Sequence, residues 1–324
     1  MESRKLGESG IAVSRVILGC GNFGGVGSAP AFFGQGTRKE EAFLIMDAAW
    51  ELGITTFDTA DAYGGGRSER FIGEWLATKD GALRDRLLIE TKTYNPNEAR
   101  ADHGLARGRI LRQIDVSLER LGLERVALYL AHEFDREVPQ EETLRAFDEL
   151  VRAGKVGAVG ASNFPAPELS EALAISEREG LTRYEWAQDS LSLLDRDAAE
   201  SILPVCRAHG LGFEAFSPLA GGWLAGKYRR GVTYPEGSRM TQRPESYQRY
   251  ENDRVYEALE AFEREALGRG VSMASLAIAW LIGEPELTAV VVGPTRAEHL
   301  EPVREAVALE LTSAERTHLR GLFA

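Results

Sequence analysis

The sequence predicts an α/β chain closed into a (β/α)8 barrel, the TIM-barrel architecture, on three observations. Eight short β-rich runs alternate with longer amphipathic segments along the 324 residues. Several of the runs are almost continuously apolar, as parallel strands covered on both faces are. Most of the amphipathic segments end at a glycine, which turns the chain back toward the next run. Eight linked strand and helix units favour closure over an open sheet. No linker or charge block divides them, so residues 1–324 read as a single domain with extended loops at the carboxyl-end face of the barrel.

In order, the first run spans 15–18 and leads through a glycine-rich loop, 19–36, to a helix over 39–52 that Gly53 closes. Run 55–58 precedes helix 68–77, and run 87–91 precedes helix 108–121, closed by Gly122. Runs 126–132 and 156–160 lead into helices 141–153 and 166–179, closed by Gly154 and Gly180. Run 184–188 is followed by helix 198–209 and Gly210. After run 212–217 come a polar segment, 228–253, an extra helix, 255–268, and helix 273–282 with Gly283 behind it. The last run, 289–293, leads into helix 297–308. The two stretches that break the repeat, 19–36 and 228–253, have the length of functional loops.

Composition narrows the function. At 44% hydrophobic and 27% charged residues the chain is of ordinary globular make-up. Lys and Arg number 38 against 50 Asp and Glu, a net charge of −12 that repels nucleic acid and anionic membrane surfaces. No apolar run reaches membrane-spanning length and the first ten residues do not form a signal peptide, so a cytoplasmic location without membrane insertion is expected. Cys20 and Cys206 form neither a disulfide framework nor a ligand cluster, and the five histidines contain no H-x-H or H-E-x-x-H pair. No catalytic metal is expected, and no nucleophile-elbow or P-loop motif is present.

In such a barrel the active site lies where the carboxyl ends of the strands meet. Asp58 and Tyr63 follow the second run, Lys92 the third and His132 the fourth. Together they make a tuned acid. A tyrosine is a poor proton donor near its ordinary pKa of about 10, and a neighbouring ammonium lowers that value by favouring the phenolate. A carboxylate keeps the lysine charged, and a histidine orients a carbonyl oxygen. Each residue alone has a packing explanation: Asp58 as a loop cap, Tyr63 as an interfacial ring, Lys92 as a solvent-facing charge, His132 as a satisfied buried imidazole. Their convergence at successive strand ends argues for chemistry. Lys92 at a strand end also fits a Schiff-base aldolase. Residues 19–24, Gly-Cys-Gly-Asn-Phe-Gly, match G-x-G-x-x-G after a strand, but the glycines and proline that follow leave no helix to receive a pyrophosphate. This stretch reads as a mobile loop at the mouth of the site, with Phe23, Phe32 and Phe33 either facing substrate or stapling the loop down.

The residues resemble the aldo-keto reductases, bacterial-type and close to the channel β-subunit-like branch, from Leu6-Gly7 to the helix after Gly293. The carrying motifs are Phe57-Asp58-Thr59-Ala60-Asp61-Ala62-Tyr63-Gly64, Thr91-Lys92, His132 with Asp135, Gly160-Ala161-Ser162-Asn163-Phe164, and Phe216-Ser217-Pro218-Leu219 to Gly226-Lys227-Tyr228. The resemblance implies a barrel that binds NADPH, or NADH, across the strand ends and reduces a small carbonyl substrate. Tyr63 would then be the general acid, Lys92 and Asp58 its modulators, and His132 the holder of the carbonyl oxygen. Ser162, Asn163 and Gln188 would anchor the carboxamide. Gly21, Asn22, Phe23, Phe216, Ser217, Pro218, Leu219 and Lys227 would line the cofactor, with Gly293, Thr295, Arg296 and His299 at its adenosine end. The chain departs from the family pattern at Leu191, where an aromatic ring often stacks, at His299, where glutamine is frequent, and at Val303, where asparagine often sits. Arg296 beside Thr295 suits a 2′-phosphate. Loops 24–36, 94–106 and 223–244 would set substrate choice, with Phe32, Tyr94 and Trp223 as candidate contacts. A slow, redox-sensing regulatory subunit is the alternative that the same family allows.

Overall fold

Runs of Val, Ile, Leu and Ala that are apolar on both faces become the wall of a closed barrel. The structure, a computed structural model, describes residues 1–96 and 102–324. A short antiparallel hairpin, β1 (Ser3–Lys5) and β2 (Ala12–Ser14), precedes eight parallel strands: β3 (Val16–Gly19), β4 (Thr56–Asp58), β5 (Leu88–Thr93), β6 (Val126–Ala131), β7 (Val156–Ser162), β8 (Tyr184–Ser190), β9 (Gly212–Phe216) and β10 (Ala289–Val292). They pair in sequence order and β10 closes on β3. Helices follow the strands and cover the barrel's outer face.

Two-residue periodicity splits each strand between two cores. Outward-facing Leu18, Phe57, Ile89, Tyr129, Val159 and Phe213 pack against the helices in the larger cluster. Inward-facing Ile17, Leu128, Leu130, Ala158, Trp186, Ala289 and Val291 form a second cluster inside the barrel, joined by Leu6 and Val13. These last two come from the hairpin region, which the sequence reading did not anticipate; its strands are too short for their alternation to stand out. Gly160 is required by this packing, since a Cβ there would lie 2.5 Å from the Trp186 ring.

The helix punctuation holds at Gly122, Gly180 and Gly210, each left-handed with φ near +65° at a helix end. Gly283 differs: it keeps helical angles, and its lack of a side chain admits the Arg316 side chain, 2.9 Å from where a Cβ would sit. The helix expected over 297–308 is divided into a 3-10 turn, Ala297–Leu300, and a helix, Glu301–Ala308, with Pro302 in the first turn of the latter. Helices Gly81–Arg86 and Ser313–Gly321 were not foreseen; the second begins with a capping box between Thr312 and Glu315. Among the described residues no single helix is long and apolar enough to cross a membrane.

Candidate active site

The four residues collected from separate strand ends meet at the carboxyl-end mouth of the barrel. Asp58 ends β4 in register with Glu90, and Lys92 lies two residues further along β5 toward its carboxyl end. The Lys92 ammonium donates to Asp58 Oδ2 and, at 3.1 Å, to the Thr59 carbonyl, with both side chains buried. Tyr63 sits on the 3-10 turn after β4, its ring centroid 5.3 Å from Lys92 Nζ and its hydroxyl 3.5 Å from His132 Nε2. The Tyr63 and His132 rings meet edge to face.

The electrostatics correct one expectation. Lys92 does pull the Tyr63 pKa down, but burial is larger, and with Asp58 pushing the same way the phenol is raised to about 12. Burial likewise opposes the charge on Lys92, yet Asp58, Tyr63 and Glu90 outweigh it and the ammonium is held more firmly than usual. Burial and the Lys92 charge drive His132 well below its ordinary value, so the imidazole is neutral. Among the described residues its Nδ1 is buried without a hydrogen-bond partner. Tyr63 is therefore a protonated donor, and His132 with its hydrogen on Nε2 is a second one facing the same space.

Ser162, Asn163 and Gln188 lie beside this centre. Asn163 is left-handed at φ +57°, and its amide donates to the His132 carbonyl at 2.9 Å and to Ser162 Oγ at 3.0 Å. Strained non-glycine positions of this kind gather at functional sites. Ser217 and Ala220 are also left-handed, as are Gly221, Gly222 and Gly226, so the chain after β9 turns tightly on itself, the N–H groups of Ala220, Gly222, Leu224, Gly226 and Lys227 bonding to carbonyls of the same segment. A cavity of about 350 Å³ opens next to Asn163, lined by Phe164, Asp189, Ser190, Asp195 and Arg249.

The cofactor candidates divide. Gly21 lies against Tyr63: a Cβ there would be 3.5 Å from the ring. Asn22 ties three segments together, accepting from Arg239 at 2.6 Å and donating to the Gly293 carbonyl at 3.3 Å. Phe23 is fully buried in the larger core, so its side chain staples the loop rather than facing a ligand. Trp223 is likewise removed as a substrate contact, being fully buried against Tyr228, Tyr250 and Tyr256. Tyr94 packs edge-on to His103, Phe32 is half-buried, and the part of loop 94–106 between 97 and 101 lies outside the described residues. Phe216, Pro218 and Leu219 surround the left-handed curl after β9. Thr295 Oγ1 lies 3.2 Å from His299 Nδ1, and Leu191 and Val303, the departures from the family pattern, are both core residues.

Lys227 and Arg296 belong to a cationic group the sequence reading saw only in part. Burial, Arg239 and Arg296 lower the Lys227 pKa, and burial with Arg243 lowers that of Arg239. Mutually repelling cations at the rim of a chain with net charge −12 make a site suited to phosphate. The signal for Arg239 and Arg243 was present: segment 228–253 carries five arginines in an acidic protein. Missed altogether was the buried carboxyl Glu214, which joins Glu90 around Gln188. Gln188 Nε2 donates to Asp58 Oδ2 at 3.0 Å, Glu90 Oε1 at 2.8 Å and Glu214 Oε2 at 3.0 Å.

The donor set, the left-handed turns after β9 and the cations at the rim fit a nicotinamide dinucleotide. Comparison with known proteins gives the family. The model of the aldo/keto reductase family matches residues 15–322. The chain is 36% identical over 332 residues to an uncharacterized oxidoreductase, YrpG, of Bacillus subtilis, covering 100% of this chain and 96% of the relative. It is 34% identical over 309 residues to the L-glyceraldehyde 3-phosphate reductase of Escherichia coli K12, covering 93% and 86%. It is also 31% identical over 312 residues to a probable voltage-gated potassium channel subunit beta of Arabidopsis thaliana, covering 95% and 91%.

Proposed function

The chain belongs to the aldo/keto reductase family of oxidoreductases, and from that premise we propose that it is a cytoplasmic, NADPH-dependent reductase of aldehydes or ketones. Residues 1–324 form its one barrel domain. The observation that carries the reading is the hydrogen-bonded convergence of Asp58, Tyr63, Lys92 and His132 at the strand ends. The bound nicotinamide supplies the hydride. The Tyr63 hydroxyl donates its proton to the carbonyl oxygen, and Lys92 stabilises the phenolate that this leaves. Asp58 keeps Lys92 charged and in place. The His132 Nε2–H holds the same oxygen and so strengthens as negative charge develops on it. Ser162, Asn163 and Gln188 would hold the carboxamide. Gly21, Asn22, Phe216, Ser217, Pro218 and Leu219 would line the dinucleotide, and Lys227, Gly293, Thr295, Arg296 and His299, with Arg239 and Arg243, would take its phosphates and adenosine end. A Schiff-base role for Lys92 is disfavoured by Asp58, which holds the amine protonated when that chemistry needs it neutral.

Titration with NADPH and with NADH, followed by tryptophan fluorescence, tests the reading. NADPH should bind more tightly, and Arg296→Ala should weaken NADPH by roughly tenfold while leaving NADH nearly unchanged. Failure of a folded sample to bind either cofactor would overturn it. The likeness to a channel beta subunit favours one second reading, a redox-sensing subunit. Slow turnover of every aldehyde tried, with cofactor that survives purification, would select it.

A further inference from the structure

We propose that Glu90 and Glu214, a carboxyl pair sharing a proton inside the barrel, are positioning residues that lock the Gln188 amide and set the acid strength of Tyr63. The proposal rests on the reductase reading for its catalytic half alone. Both side chains are fully buried and point inward, Glu90 in register with Asp58 and Glu214 with Gln188. Glu90 Oε1 and Glu214 Oε2 meet at Gln188 Nε2, 2.8 and 3.0 Å from it. Two ionised carboxylates have only acceptor atoms and repel each other at this range, so a proton held between them relieves the pair. Among the described residues Glu90 Oε2 and Glu214 Oε1 have no hydrogen-bond partner, which leaves a second full charge here without compensation.

The pair decides which way Gln188 faces. Its NH2 group meets three carboxyl groups within 3.0 Å. Turned about, its oxygen would meet the same three, with one shared proton among the Glu pair to offer. The amide is therefore held with nitrogen inward and Oε1 left as the acceptor on its other side. The charges facing the pair are Asp58 on β4 and Lys92 on β5, with Tyr63 beyond them; the Cys20 thiol after β3 and the neutral His132 after β6 complete the surroundings. Negative charge on Asp58 and Glu90 disfavours the Tyr63 phenolate. Neutral replacements for the pair would thus let Tyr63 ionise at lower pH. An apolar pair of similar size would fill the same space at less cost, as the rest of the barrel interior shows.

The test uses the full chain with Glu214→Gln, Glu90→Gln and the double variant. Infrared spectra of the cofactor-free protein at pH 7 should contain a protonated-carboxyl C=O band that either single substitution reduces. The double variant should bind NADPH several-fold more weakly by fluorescence titration. Its alkaline limb of kcat/KM should fall roughly one pH unit lower. Parent and single-variant spectra without a difference, or a folded double variant with the parent's NADPH affinity and pH limb, would overturn the proposal. Should Glu214→Gln fail to fold, Glu90→Gln carries the infrared test. Should the parent bind NADPH but reduce no aldehyde or ketone, the reductase reading falls, while the infrared and affinity results still decide the pair.

Discussion

The barrel interior is built in two halves from opposite materials. Toward the amino-terminal end Ile17, Ala289, Val291 and Trp186 are sealed by Leu6 and Val13. Toward the mouth β4, β5, β8 and β9 carry Asp58, Glu90, Lys92, Gln188 and Glu214, all buried. Both halves are dry, but only the first is stabilised by the transfer of apolar surface from water. The second must satisfy each charge with a partner, and a buried ion pair is rarely worth its desolvation. A chain able to fill one half with Val and Ile could have filled the other likewise. The expensive half is the one whose arrangement the chemistry needs.

Substitutions in each half should separate these roles. Tyr63→Phe, at the top of the charged half, removes the proton donor and opens no cavity, and kcat should fall by about 10²–10⁴-fold. Fluorescence titration should show NADPH still bound; full activity would remove Tyr63 from the chemistry. Lys92→Met leaves Asp58 and the glutamates without their cation and should cost about 3–5 kcal/mol in urea unfolding along with the activity. A loss below about 1 kcal/mol would mean that the carboxyls are neutralised by other means. Ile17→Ala, in the apolar half, should cost about 2–5 kcal/mol while kcat stays near the parent's, the reverse of Tyr63→Phe.

The smallest effect is on pH dependence, and it sets the halves apart most directly. Burial raises Glu214 to about 7, and burial with the Glu214 and Asp58 charges raises Glu90 well above its ordinary value. In the unfolded chain both carboxyls lose their protons near pH 4.3, whereas the folded pair keeps a shared one. The native state thus binds more protons between about pH 4.3 and 7, and stability falls as pH rises through that window. Melting temperatures from pH 5 to 8 should show this slope in the parent and in Ile17→Ala, and a shallower one in Glu214→Gln. Equal slopes in all three would mean that Glu214 ionises normally.

Much of the site was legible because it sits at strand ends. Asp58, Tyr63, Lys92 and His132 each follow an apolar run, and the run itself announces where its carboxyl end lies. Asn163, Gln188 and Lys227 are legible for the same reason or through the family pattern. Glu214 was hidden in the middle of such a run, Gly-Phe-Glu-Ala-Phe, where a lone acid inside an apolar strand of a closed barrel was the signal available. Arg239 and Arg243 were hidden in a polar segment without periodicity, and the inward turn of the Phe23 ring was left open because a glycine-rich neighbourhood does not disclose which ring turns inward.

What the sequence determined by itself was local: the alternation of strands and helices, the glycines that end most helices, and the strand-end position of the candidate catalytic side chains. Backbone geometry imposes periods of about 2.0 and 3.6 residues on any chain, and they can be read without knowing the fold. The tertiary structure alone decided which residues share a layer, that Gln188 meets three carboxyl groups, and that burial outweighs Lys92 in setting the proton affinity of Tyr63. Those depend on register and desolvation, and both are properties of segments far apart in sequence that only closure of the barrel brings together.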